Sequence, residues 1–516
     1  MRSHVGGGTV ATCLTQHSDP TRVHPDVIIP ESGSISLKLN YRNYAPTKST
    51  TTRHNSQGHK QLQVYNRDTV LTIGQKLTGR ACSSDGMGQR NHSNLVLSSH
   101  LPFQSLFLAT SLLSIFPSHL PSNFSINRME GSTGMSEAWP MVERNGTQLL
   151  TKDEPFVIHG FNTYWLMVFA VDPETRHKIT DVFSEAKEVG LNTCRTWAFN
   201  DGGWRALQVS PFNYDEVVLQ ALDFVLSEAR KHRIRLILSL CNNWSDYGGR
   251  SQYVKWGQES GLDLTSDDDF FSDTTLKSYY KGFIEAVLTR TNTITNIEYK
   301  NDATILAWEI INEPRCPSDP SGDTLQAWIE EMSAFVKSID PVHLVQVGLE
   351  GFYGPSTPEL MKLNPDEYSG VVGTDFIRNH QAPSIDLASV HIYPDVWLTH
   401  SDQDDHIKFV QNWMDQHMSD SKDRLNMPIV FAEFGISIRD ERFGAGFREL
   451  FMDTVYGTFL RSLETGGPGG GCILWQLFPE GAEHMDDGYA VVLAKYPSTF
   501  SLVSLQSKRL SNGAST

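Results

Sequence analysis

From about residue 139 onward, eight short runs rich in β-branched and aromatic residues alternate with stretches of helical period. The runs are 156–165, 193–199, 235–244, 304–313, 344–353, 387–393, 428–435 and 472–478. Between most of them lie amphipathic stretches at 176–189, 215–232, 274–291, 324–339, 405–418 and 446–464, with apolar residues at i, i+3, i+4 and i+7. The connection after Tyr353 has the weakest helical pattern. Eight buried strands alternating with helices predict an α/β fold, a parallel sheet closed into a (β/α)8 TIM barrel. A doubly wound open sheet is the competing arrangement. No GxGxxG or P-loop follows the first run, which lowers that alternative.

A barrel carries its chemistry at the carboxyl ends of its strands. Those ends read Asn162, Tyr164 and Trp165; Arg195, Trp197 and Asn200; Asn242, Asn243 and Trp244; Asn312-Glu313-Pro314; Glu350; His391 and Tyr393; Glu433; and Trp475. Polar groups there are costly without purpose, because a parallel barrel strand is otherwise a nearly continuous apolar run. Polar or indole side chains at all eight ends mark a site. Two carboxylates with several indoles suit glycoside hydrolysis. One acid protonates the leaving oxygen, and one carboxylate attacks or activates water.

Charge divides the chain. Residues 1–128 hold 12 Lys and Arg against 5 Asp and Glu, while the remainder holds 31 against 55. The first segment is rich in Ser, Thr, Asn, His and Gly, so residues 1–130 are expected to be a poorly ordered basic extension. Within it, 101–116 (LPFQSLFLATSLLSIF) has the length of a signal-peptide core, and Met87 with Arg90 would suit its start. The expected catalytic domain is 139–510. The net charge of −17 argues against a nucleic-acid partner, and no run of 18 clean apolar residues suggests a membrane span. The six cysteines show no zinc spacing, and Cys194 and Cys241 are expected as buried thiols. Of four N-glycosylation patterns, at Asn91, Asn123, Asn145 and Asn243, Asn145 is the plausible acceptor, since Asn243 falls in the expected cleft.

The strings Asn312-Glu313-Pro314, His391-x-Tyr393, FAEFG around Glu433 and ILWQL around Trp475 resemble glycoside hydrolase family 5. GFNTYWLM, CRTWAFNDG, LCNNW, ILAWEIINEPRC, VGLEGFYG and SVHIYPDVW narrow the resemblance to the plant endo-β-1,4-mannanases. It runs in order from about Trp139 through Leu510.

The resemblance implies Glu313 as acid/base and Glu433 as nucleophile of a retaining enzyme. Arg195, His391 and Tyr393 would hold Glu433 ionised, while burial and the Glu433 charge would raise Glu313. Asn312 would bind the 2-hydroxyl of the attacked sugar, and Trp475 would floor it, with Trp197 also against substrate. Trp197, Trp244 and Trp397 remain open between core and platform, and Glu350 between cleft and scaffold; Glu309 is expected as a buried structural partner. The resemblance further implies internal cleavage of mannan, galactomannan or glucomannan by a secreted monomer of the cell wall, without metal or cofactor. Endo-β-1,4-glucanase and a carbohydrate-binding barrel without catalysis are the alternatives. Two departures stand out: about 130 leading residues unlike the family, and Ala303 where Pro is expected.

Overall fold

The computed structural model describes residues 50–54, 60–66, 69–75 and 139–513. The chain divides into two compact units, Met1–Ile126 and Asn127–Thr516. In the first unit, strands Thr50–His54, Lys60–Asn66 and Thr69–Gln75 pair antiparallel in sequence order. Regular backbone there does not follow from the composition of the segment as a whole. Thr, Val, Leu and Ile do make up most of the third run, TVLTIGQ. The apolar stretch 101–116, Met87, Asn91, Asn123, Cys13 and Cys82 lie outside the described residues.

In the second unit eight parallel strands form the barrel: β1 (Val157–Asn162), β2 (Thr193–Trp197), β3 (Arg235–Ser239), β4 (Ile305–Asn312), β5 (Leu344–Gly348), β6 (Ala388–Ile392), β7 (Ile429–Phe434) and β8 (Gly470–Leu474). Their order is β5-β4-β3-β2-β1-β8-β7-β6, and a parallel bridge between Gln346 and Leu387 joins β5 to β6. A helix follows each strand: α1 (His177–Glu188), α2 (Glu216–His232), α3 (Thr274–Leu288), α4 (Asp323–Ile339), α5 (Phe376–His380), α6 (Gln403–Asp420), α7 (Ala445–Glu464) and α8 (Pro497–Gly513). The weak fifth helical signal corresponds to a single short turn of helix, α5. The final helix, rich in Ser, escapes the sequence pattern.

Two apolar layers hold the barrel. The larger lies between strands and helices, including Leu236, Trp308, Val345 and Phe431 from strands with Val225, Met332 and Val455 from helices. The smaller fills the barrel floor with Ile158, Ile237, Ala307, Val430, Ala432 and Ile473. It is joined by Val142 and by Leu149 of the antiparallel strand Gln148–Thr151, which precedes the barrel. The strand floors are thus sealed by hydrocarbon, and polar side chains occupy the opposite ends.

The ladders that carry Glu309, His391 and Glu433 are irregular near their carboxyl ends, whereas β2, which bears Arg195, keeps a regular register. The β4–β5 register shifts between Glu309 and Asn312, the β6–β7 register between Val390 and His391, and the β7–β8 register between Phe431 and Phe434. Such irregularities re-aim side chains that a regular pleat would send to the wrong face. Asn145 is exposed on the strand Glu143–Asn145, whereas Asn243 is buried. The four described cysteines, Cys194, Cys241, Cys316 and Cys472, are buried free thiols.

Candidate active site

Arg195 on β2 organises the barrel mouth. It is fully buried, a position tolerable for a guanidinium only when its donors are matched by acceptors. Its Nε and one terminal nitrogen grip Glu309 at 2.9 and 2.6 Å. The other terminal nitrogen reaches Glu433 Oε1 at 2.5 Å and Asn162 Oδ1 at 3.1 Å, while Asn312 Oδ1 accepts at 2.6 Å from the terminal nitrogen that also holds Glu309. Glu309 also accepts from Ser239 Oγ and Gln346 Nε2, each at 2.6 Å. It is a buried structural partner. At Gly348 of β5 a Cβ would stand 2.8 Å from the Glu309 carboxyl, so only glycine leaves that carboxylate room.

Glu433 is buried at the end of β7, and Tyr393 donates its hydroxyl hydrogen to Oε2 at 2.6 Å. Glu313 follows β4 with φ at +49°, a left-handed conformation unusual for a side chain of this size. Its amide donates to the Gly348 carbonyl at 2.7 Å. Its carboxylate meets His391 Nδ1 at 2.7 Å and Trp244 Nε1 at 2.6 Å.

One expectation needs correction. His391 sits nearer Glu313 than Glu433, whose oxygen is 3.7 Å away, although His391 and Glu433 are register partners on adjacent strands. The register shift beside His391 swings its ring toward the residue after β4.

The charges differ from expectation as well, although the charge of His391 still acts to lower Glu433. Burial would raise Glu313, but hydrogen bonds from His391 and Trp244 outweigh it and hold the carboxyl at about 2. Burial would lower His391, yet the charges of Glu433 and Glu313 lift it above the ordinary imidazole range. Burial pushes Glu433 above the usual carboxylate range despite His391 and Arg195. Arg195 spends two of its contacts on Glu309, so it compensates Glu433 less completely than the sequence alone suggests. His391 Nδ1 and Glu313 thus share a hydrogen bond in which the imidazole is shifted up and the carboxyl down.

Asn312 donates to Asn242 Oδ1 at 3.1 Å while accepting from Arg195, so its amide is held at the strand end. Trp475 follows β8, stacks on Tyr164 at 6.0 Å between centroids and is partly exposed. Trp197 lies under the Arg195 guanidinium and is buried, while Trp244 is 41% exposed. Trp397 packs against Phe352, Phe409 and Trp413 as partly buried scaffold. Glu350 is buried against Arg315, which donates twice at 2.7 and 2.6 Å. The guanidinium of Arg315 lies 5.2 Å from the Trp244 ring. Burial and the Glu313 charge raise Glu350 to about 7.

Sequence reasoning passed over Arg315, Ser239 and Gln346. The latter two were visible as polar residues inside otherwise apolar strands.

An oxygen of Glu313, one of Glu433 and a ring nitrogen of His391 lie within 4.8 Å of one another. Among the described residues this is the group whose spacing suits a metal ion. Its atoms are already engaged with Arg195, Tyr393, Trp244 and one another. One oxygen of each carboxylate thus approaches the other closely at a single point of the mouth, the kind of pairing that covalent attack on an anomeric carbon uses.

A family model described as GH family 5 beta-mannosidase-like matches residues 140–478. The chain belongs to this family. Mannan endo-1,4-beta-mannosidase 8 of Oryza sativa subsp. japonica is 69% identical over 363 residues, spanning 70% of this chain and 98% of that protein. Mannan endo-1,4-beta-mannosidase 7 of the same organism is 67% identical over 365 residues, spanning 71% and 96%. Among solved structures, an endo-1,4-beta-mannanase from Rhizomucor miehei superposes with a TM-score of 0.60 at 29% identity, covering 73% of this chain and all of that one. As a family 5 chain it is a glycoside hydrolase with a (β/α)8 barrel, and the match begins after the first compact unit.

Proposed function

We propose that this glycoside hydrolase cleaves internal β-1,4-mannosidic bonds of mannans and retains anomeric configuration. The close approach of one Glu313 oxygen to one Glu433 oxygen, within 4.8 Å, carries the retaining part of the reading. The rice relatives, alike over nearly their whole length, support mannan as the substrate.

Glu433 attacks the anomeric carbon. Its orientation comes from Arg195 and Tyr393, one on each oxygen. Glu313 delivers to the leaving oxygen the proton it shares with His391, then takes a proton back from the water that opens the glycosyl-enzyme. Trp244 fixes the other oxygen of Glu313 and so limits its rotation. Asn312, clamped by Arg195 and Asn242, meets the 2-hydroxyl of the attacked sugar, and Trp475 lies beneath that ring. Secretion to the cell wall follows from a substrate found there, and cell fractionation tests it.

Reducing-sugar release from mannan and from soluble cellulose distinguishes this reading from a glucanase on the same scaffold. Release from mannan at least tenfold faster is expected, and preference for cellulose overturns it.

A further inference from the structure

Trp475 is anchored by a carboxylate that neither catalytic glutamate touches. Its Nε1 donates to Asp487 Oδ2 at 3.1 Å, and the side-chain amide of Gln476 donates to the same oxygen at 3.0 Å. The other oxygen, Oδ1, accepts the Tyr489 amide at 3.0 Å. Burial lifts Asp487 above the ordinary carboxylate range, and these three donors oppose it. The indole therefore has one face toward Tyr164, at 6.0 Å between centroids, and its N–H edge on a carboxylate. Trp197 stands nearby at 6.3 Å.

An indole N–H needs a partner when partly buried, and a backbone carbonyl would suffice for that. A carboxylate does more. An ionised acceptor makes a stronger hydrogen bond than a neutral one and pushes electron density into the ring. A ring face attracts cations through its quadrupole, with indole the best of the aromatic side chains. Glycoside hydrolysis places positive charge on the sugar ring only in the oxocarbenium-like transition state. An enriched indole beneath that ring is thus worth more in the transition state than in the ground state, which is the condition for raising kcat.

We propose that Asp487 is a positioning residue that acts through Trp475, holding the indole under the attacked sugar and making its face more electron-rich toward the developing oxocarbenium ion. The proposal rests on Trp475 being the floor of that sugar's site, as in the function proposed above.

The test uses the full chain and Asp487→Asn, which removes the charge and keeps an oxygen able to accept from the indole and Gln476, at the cost of the bond from the Tyr489 amide. Three measurements are made: kcat and KM on mannan, affinity for neutral mannotriose, and affinity for a mannobiose-linked isofagomine-type iminosugar, cationic at the anomeric position. Expected are a fall in kcat of about three- to tenfold, a matching loss of iminosugar affinity, and unchanged KM and mannotriose affinity. An unchanged kcat overturns the proposal. So does equal weakening of the neutral and cationic ligands, which is what a merely displaced indole would give. Asp487→Ala, which orphans the indole N–H, serves as the displaced-indole reference and weakens both. A wild-type chain inactive on mannan contradicts the functional reading itself and not the role of Asp487 within it.

Discussion

Arg195 binds Glu309 through two hydrogen bonds and Glu433 through one, so a single buried cation serves both a scaffold carboxylate and an attacking one. The scaffold carboxylate fixes the guanidinium plane on β2 and β4, and the remaining nitrogen then fixes Glu433. This arrangement makes the site rigid, because the cation cannot follow Glu433 without breaking its grip on Glu309.

Removing Glu309 therefore costs stability as well as rate. Glu309→Ala leaves Arg195 with an uncompensated donor set in a dry site, and such broken buried pairs cost about 3–5 kcal/mol. Urea unfolding is expected to show a loss of that size, with a lowered kcat in the protein that remains folded. Wild-type stability would show that Glu433, Asn312 and Asn162 together satisfy Arg195.

The pH profile follows from the charges at the mouth. Glu433 is raised above its ordinary value of 4.5, so the attacking carboxylate is lost as pH falls through a value above 4.5. His391 is raised above 6.5, so the shared proton is lost as pH rises through a value above 6.5. A bell-shaped kcat/KM profile between these limits is expected, its two apparent values belonging to the coupled group. His391→Asn removes the largest influence holding Glu313 down, so the alkaline limb then reports Glu313 itself and moves to lower pH. An alkaline limb that stays in place would remove His391 from the proton's path.

Glu313→Ala and Glu433→Ala separate the two roles. Loss of an acid/base group costs roughly 10²–10⁴-fold, and is largely forgiven when the leaving group needs no proton. Dinitrophenyl β-mannobioside is therefore expected to restore the first step in Glu313→Ala. Azide is expected to restore turnover in Glu433→Ala with an inverted product. Identical behaviour of both variants with both reagents would reverse or void the assignment.

The chain-level organisation gives a simpler expectation. The second compact unit begins at Asn127 and contains all eight barrel strands, the candidate site and both apolar layers. A chain starting at residue 129 is expected to unfold cooperatively and to keep wild-type kcat/KM on mannan. Absence of a cooperative thermal transition would contradict this.

How much was legible in the sequence is clearest at Glu309 and His391. Glu309 stands inside a strand, four residues before Glu313, and that place alone marks it as a buried structural partner, while the cation it holds, Arg195, is seen only in the structure. His391 could not be read so far, because its partner depends on a register shift between Val390 and His391 that no local pattern announces. The same limit applies to Arg315 and Asp487. Both lie in loops after strands, where geometry is set by long-range contacts, and not by periodicity. Helix α8 was missed for a different reason: a Ser-rich surface helix leaves only a thin apolar stripe. The barrel itself was legible because each buried strand must be nearly all apolar until its carboxyl end.

The most direct test of the account is the configuration of the first-formed product. Proton NMR of mannopentaose hydrolysis, recorded before mutarotation, should show the β-anomer at the new reducing end, as covalent attack by Glu433 beside Glu313 requires. An initial α-anomer would mean direct attack by water and would contradict the account.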